Sequence, residues 1–89
     1  MQHFNINVYG LVQGVGFRYA TKKYANAIGI TGFVKNEADK SVYIEAEGSQ
    51  SALADFVKWC KTGPSYAQVE NVIVKEGDLK NFTSFDSRH

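Results

Sequence analysis

The chain has 89 residues, 44% of them apolar, and a formal net charge of +1. That is enough for one small domain (residues 1–89) with one modest core; it excludes a second domain and any attraction to nucleic acid or membrane through bulk charge. The single cysteine, Cys60, excludes an internal disulfide, and with His3 and His89 at the chain ends it does not make a metal site.

The N-terminus has no apolar run behind basic residues, and no segment approaches the length of a membrane span, so a soluble cytoplasmic protein is expected. The charges are unevenly placed. No Asp or Glu occurs from Met1 to Asn36, where Arg18, Lys22, Lys23 and Lys35 all fall; the nine acids lie between Glu37 and His89. A wholly cationic first segment suits a small anion, although solvated charges can cluster by chance.

"HFNINVYG" alternates, with Phe4, Ile6 and Val8 on one face and His3, Asn5, Asn7 and Tyr9 on the other, the pattern of a strand with one covered face. The loop "GLVQGVGFR" follows. Phe17, Ala20, Tyr24, Ala27 and Ile28 then recur at helical spacing, and Gly29 supplies a stop. "TGFVKN" and "SVYIEAEG" read as two strands joined by the turn-rich "EADK", a hairpin in which Val42, Ile44 and Ala46 face the core while Tyr43, Glu45 and Glu47 face out. Ser49 or Ser51 can cap a second helix with Leu53, Phe56, Val57 and Cys60 on its inner face, ended by Gly63 and Pro64. Cys60 is then a small core hydrophobe. "AQVENVIVKE" gives a fourth strand of ambiguous parity, and the polar tail offers a short edge strand through Phe82 or Phe85. The order β-α-β-β-α-β implies a ferredoxin-like split β-α-β sandwich of the α+β class: a four-stranded antiparallel sheet with two helices on one face.

The loop raises a chemical question. Glycines at 14 and 16 allow positive φ and remove side chains, so successive backbone N–H groups can turn inward as a nest at a helix start. The helix N-terminus adds unpaired donors and a partial positive charge, and a phosphate fits both. A tight strand-to-helix turn needs glycine for steric reasons too, and the spacing is neither a Walker motif nor G-x-G-x-x-G. Arg18 shifts the balance. A cation in the first helical turn opposes the dipole, at about 0.3–1 kcal/mol, with no acid nearby in sequence. A local rule broken without local compensation tends to mark function, and a guanidinium can grip phosphate oxygens in a bidentate fork. The competing reading is a surface arginine paired with a distant acid.

Asn36 falls where the second strand meets its turn, a common structural place for asparagine. Its carboxamide also donates and accepts, so it can hold a water against a bound electrophile. The cationic segment offers no general base or nucleophile. Chemistry here is chemistry that positioning and charge neutralisation complete.

"GLVQGVGFRY", the asparagine of "GFVKN" eighteen residues after Arg18, then "EGS" and "GPSYAQV", resemble the acylphosphatase family over nearly the whole chain. The resemblance implies hydrolysis of the carboxyl-phosphate bond of an acyl phosphate to a carboxylate and inorganic phosphate, without metal or cofactor. It implies that the backbone amides of Val15, Gly16, Phe17 and Arg18 cradle the phosphate, that the Arg18 guanidinium binds it, and that Asn36 orients the attacking water. Gly14 and Gly16 shape the loop. A monomer is expected, acting on a small molecule, with no nucleic acid or membrane partner.

Two departures stand out. The family's usual Asp-Gly turn is Asp39-Lys40, and lysine tolerates positive φ poorly, which predicts a turn shifted by a residue. The tail "FDSRH" matches the family's F-x-I-R-Y only at Phe85 and Arg88. Two other functions compete. A catalytically silent anion-binding or regulatory domain would carry the same nest, but has no need of Asn36. An RNA-binding module on the same fold would stack bases on the open sheet face. There Glu45 and Glu47 beside Tyr43 would repel a phosphate backbone.

Overall fold

The computed structural model describes all 89 residues. In chain order the elements are β1 (Gln2–Leu11), α1 (Phe17–Ile28), β2 (Thr31–Asn36), β3 (Val42–Gly48), α2 (Gln50–Cys60), β4 (Gln68–Gly77) and β5 (Phe85–Arg88). The sheet order is β4-β1-β3-β2-β5, antiparallel except that β5 runs parallel to β2. The expected architecture holds. The tail does add an edge strand, through Phe85 rather than Phe82, and the sheet is therefore five-stranded.

The core lies between the helices and one sheet face. Ile6, Val8, Val34, Val42, Ile44 and Ala46 are buried there against Leu53, Phe56 and Cys60 of α2, as the alternating and helical periods require. Burial pushes the Cys60 thiol up to about 12. Ser49 caps α2, its hydroxyl accepting from the Ala52 amide at 3.1 Å. Phe85 is buried against Phe56 with ring centroids 6.1 Å apart, so one apolar side chain docks β5 into the core although the rest of the strand is exposed.

Helix α1 sits one position round from the expected stripe. Its buried residues are Phe17, Thr21 and Ala25, while Ala27 is exposed. Thr21 can enter the core because its hydroxyl donates to the Phe17 carbonyl at 2.7 Å, which removes the cost of burying it. The parity of β4 also resolves. Tyr9 pairs with Asn71 and Gly10 with Val69, leaving Glu70 as the extra residue of a bulge, so Val69 and Val72 both turn inward.

The second sheet face is covered, contrary to the expectation for Glu45 and Glu47. The segment 78–84 crosses it: the amides of Lys80 and Phe82 donate to the Glu47 carboxylate at 2.6 and 3.0 Å, and the Phe82 ring stacks on His3 at 5.9 Å. His3 and Glu47 are each 1% exposed, with Nδ1 of the imidazole 2.7 Å from the carboxylate. Glu45 joins this cluster through Lys80 Nζ at 2.8 Å and the Tyr43 hydroxyl at 2.8 Å. Glu45 and Glu47 are therefore buried beneath this segment and not displayed as solvated charges on an open face.

Candidate active site

The loop between β1 and α1 is built by two left-handed glycines, Gly14 at φ 74° and Gly16 at φ 77°. A Cβ at either would meet nothing within 4 Å, so backbone conformation, not crowding, calls for glycine, and the space beside the loop stays open. Gly16 is the N-cap of α1 and no side chain caps the helix. The amides of Val15, Gly16, Phe17 and Arg18 find no acceptor in the protein. Four adjacent free donors at a helix start are an arrangement that can receive an anion.

A cavity of about 390 Å³ opens beside the loop, with Gly16, Phe17 and Arg18 of these donors in its lining. Gly14, Gly16, Phe17, Arg18 and Asn36 line it together, from residues that the sequence separates by more than a helix. Val15 is the one expected site residue absent from the lining; its side chain packs on the core and only its amide belongs to the loop. No Asp or Glu lines the cavity. Arg18 has no acidic partner, against the reading of a surface ion pair: its Nη1 donates to the Arg88 carbonyl at 2.7 Å and faces His89 Nδ1 at 3.2 Å. β5 thus holds the guanidinium by a neutral acceptor and leaves its charge uncompensated. The Asn36 carboxamide makes no hydrogen bond within the protein.

Lys22, Ser87 and His89 also line the cavity. The signal for Lys22 was present, since it follows Arg18 at i+4 on the same helix face. Ser87 and His89 carried none, because only the parallel pairing of β5 with β2 brings the tail there.

The hairpin beyond Asn36 keeps its register, with Asn36 opposite Val42 and Lys35 opposite Tyr43, and Lys40 takes φ 74° in the turn. The expected shift does not occur. Asp39 fixes the turn instead, its carboxylate accepting from the Ser41 amide at 2.9 Å and from the Ser41 hydroxyl. The hydroxyl first, then the amide, hold the Asp39 carboxyl below its usual range.

Residues 4–87 match the family model described as acylphosphatase. The chain belongs to the acylphosphatase family. A protein named acylphosphatase from Pasteurella multocida (strain Pm70) is 51% identical over 83 residues, 92% of each chain. An acylphosphatase from Archaeoglobus fulgidus is 47% identical over 81 residues, 91% of each chain. The crystal structure of acylphosphatase from Bacillus subtilis superposes with a TM-score of 0.97 at 38% identity over the whole of both chains. As an acylphosphatase the protein is a hydrolase of acyl phosphates, taking an acyl phosphate as substrate and releasing inorganic phosphate.

Proposed function

We propose that the cavity beside the glycine loop is where this acylphosphatase does its chemistry, and that Arg18 and Asn36 carry it. The free amides of Val15, Gly16, Phe17 and Arg18 receive the equatorial phosphoryl oxygens, and the Arg18 guanidinium binds two of them as a fork. Asn36 holds a water in line with the phosphorus. The water oxygen bonds to phosphorus, the bond to the acyl oxygen breaks, and the carboxylate leaves with that electron pair. A carboxylate is a good leaving group, so positioning and charge neutralisation suffice. The water's proton passes to a phosphoryl oxygen, which no side chain of the cavity need accept. Neither metal nor cofactor takes part, and the protein works as a cytoplasmic monomer; no helix is long and apolar enough to cross a membrane.

The observation that carries this reading is the meeting of the free amides of Gly16, Phe17 and Arg18, a guanidinium without an Asp or Glu partner and an unpartnered carboxamide in one cavity. The test is the absorbance change on hydrolysis of an aromatic acyl phosphate, with and without a chelator and with inorganic phosphate as competitor. Turnover unaffected by the chelator and inhibited competitively by phosphate is expected. Turnover that a chelator abolishes, or phosphate that inhibits without competing, overturns the reading. A light-scattering mass near twice 9.9 kDa would overturn the monomer.

A further inference from the structure

Gln13 belongs to the glycine loop but does not line the cavity. Its side-chain Nε2 donates to two backbone carbonyls, that of Glu37 at 2.9 Å and that of Ser41 at 2.8 Å. These carbonyls face each other across the neck of the β2–β3 hairpin. The same two serve the turn itself, for the Glu37 amide donates to the Ser41 carbonyl at 2.9 Å and the Lys40 amide to the Glu37 carbonyl at 3.1 Å. One carboxamide therefore uses both of its hydrogens to close the neck one residue beyond Asn36.

We infer that Gln13 is a positioning residue for hydrolysis: it sets the distance between the donor loop and Asn36. The inference rests on the assignment of Asn36 to the water and of the loop amides to the phosphoryl group. Those groups sit on elements that share no hydrogen-bond ladder, since β1 lies beside β3 and β4, while β2 lies beyond β3. Gln13 is the direct side-chain tie from the loop to the hairpin. In-line attack tolerates little error, and a displacement of about 1 Å can lower the rate about a hundredfold. Gln13 suits this role by hydrogen count, because its NH₂ has two donors for two carbonyls, whereas a glutamate there would set oxygen against oxygen. A loosened neck moves Asn36 and leaves the amides of Val15 to Arg18 and the guanidinium of Arg18 in place.

The test is a double-variant cycle with Gln13→Met, which keeps the bulk and removes both donors, Gln13→Glu, Asn36→Ala and the Gln13→Met/Asn36→Ala pair. Each is assayed below its own melting temperature for kcat, KM and the competition constant of inorganic phosphate. The expected result for Gln13→Met is a kcat lower by about tenfold or more, with phosphate competition unchanged within about twofold. Gln13→Glu should be slower still, and the pair no slower than Asn36→Ala alone, because Gln13 acts through Asn36. Wild-type kcat in Gln13→Met, or losses that multiply in the pair, overturns the inference while leaving the assignment of Asn36 standing. Wild-type kcat in Asn36→Ala instead overturns that assignment and the inference with it.

Discussion

Replacing Glu47 by glutamine leaves the active-site residues untouched and should nevertheless unsettle the whole molecule. The carboxylate accepts the amides of Lys80 and Phe82, at 2.6 and 3.0 Å, and lies 2.7 Å from the His3 ring, all at 1% exposure. A carboxamide in the same place supplies one oxygen, which can keep Lys80 and His3, and turns its NH₂ toward the Phe82 amide. A buried N–H without an acceptor costs about 1–3 kcal/mol, and each remaining bond, no longer charge-assisted, is weaker by about 1 kcal/mol. At the low end the total is about 3 kcal/mol, and at 4–8 °C per kcal/mol for a domain of this size the melting temperature should fall by at least about 12 °C. Urea unfolding followed by the fluorescence of Trp59, the single tryptophan, measures this directly. Exposed Glu70→Gln is the control and should stay within about 0.5 kcal/mol. A loss below about 1 kcal/mol in Glu47→Gln would refute the reasoning, since the segment 78–84 would then be held by other contacts.

The same cluster sets a pH dependence. Burial alone would raise the Glu47 carboxyl, but the Lys80 amide, the His3 ring and the Phe82 amide outweigh it and hold the group below the ordinary carboxylate range; Glu45 is likewise lowered, against its burial, by Lys80, Tyr43 and His3. Depressed carboxyls stabilise the fold above the unfolded value of about 4.3 and lose that contribution as pH falls through the folded values. The wild type should therefore lose stability in the acid range below about pH 4, and Glu47→Gln should show a flatter acid limb.

Four further outcomes are expected. Arg18→Gln should weaken competition by inorganic phosphate about 10–100-fold, the worth of a charge-assisted fork, with the fold intact by circular dichroism; an unchanged competition constant would place the phosphate elsewhere. Lys40→Gly should stabilise by roughly 1 kcal/mol, because Lys40 at φ 74° carries the left-handed penalty, and unchanged or lower stability in urea would show that the turn is not strained. The Cys60 thiol, buried and pushed up to about 12, should resist a thiol reagent in the native protein and react on unfolding; rapid native labelling contradicts its packing. Tyr43 is pushed up to about 12 by burial first, then by its hydrogen bond to the Glu45 carboxylate. An acid of raised pKa stabilises the fold below its unfolded value of about 10 and loses that contribution as pH rises toward 12, so one of the five tyrosines should ionise late in an alkaline absorbance titration.

Period and turn chemistry carried most of the architecture. Strand alternation placed Ile6, Val8, Val42, Ile44 and Ala46, the i, i+3, i+4, i+7 pattern placed the inner face of α2, and the tail offered an edge strand through Phe82 or Phe85, of which Phe85 forms it. Much of what escaped was non-local. Glu45 and Glu47 obey the alternation of β3, but nothing in a polar residue tells solvent from a covering strap, and "DLKNFTS" carries its message in backbone amides that the side chains do not show. The bulge at Glu70 hid the parity of β4, and the threonine in α1 was passed over for an alanine because its satisfied hydroxyl cannot be read from spacing. Among the residues lining the cavity, the glycines and Arg18 stood out because each breaks or serves a local rule, while Asn36 took its expected role from the family resemblance. Gln13 did not stand out, because its partners are two carbonyls 24 and 28 residues away.

The most direct test of the account is the kcat of Asn36→Ala on an aromatic acyl phosphate, measured with the competition constant of inorganic phosphate on the same preparation. The account predicts a kcat lowered by about a hundredfold or more with phosphate binding unchanged, the signature of a lost water position in an intact cradle. A kcat near wild type, or a loss confined to phosphate binding, would contradict it.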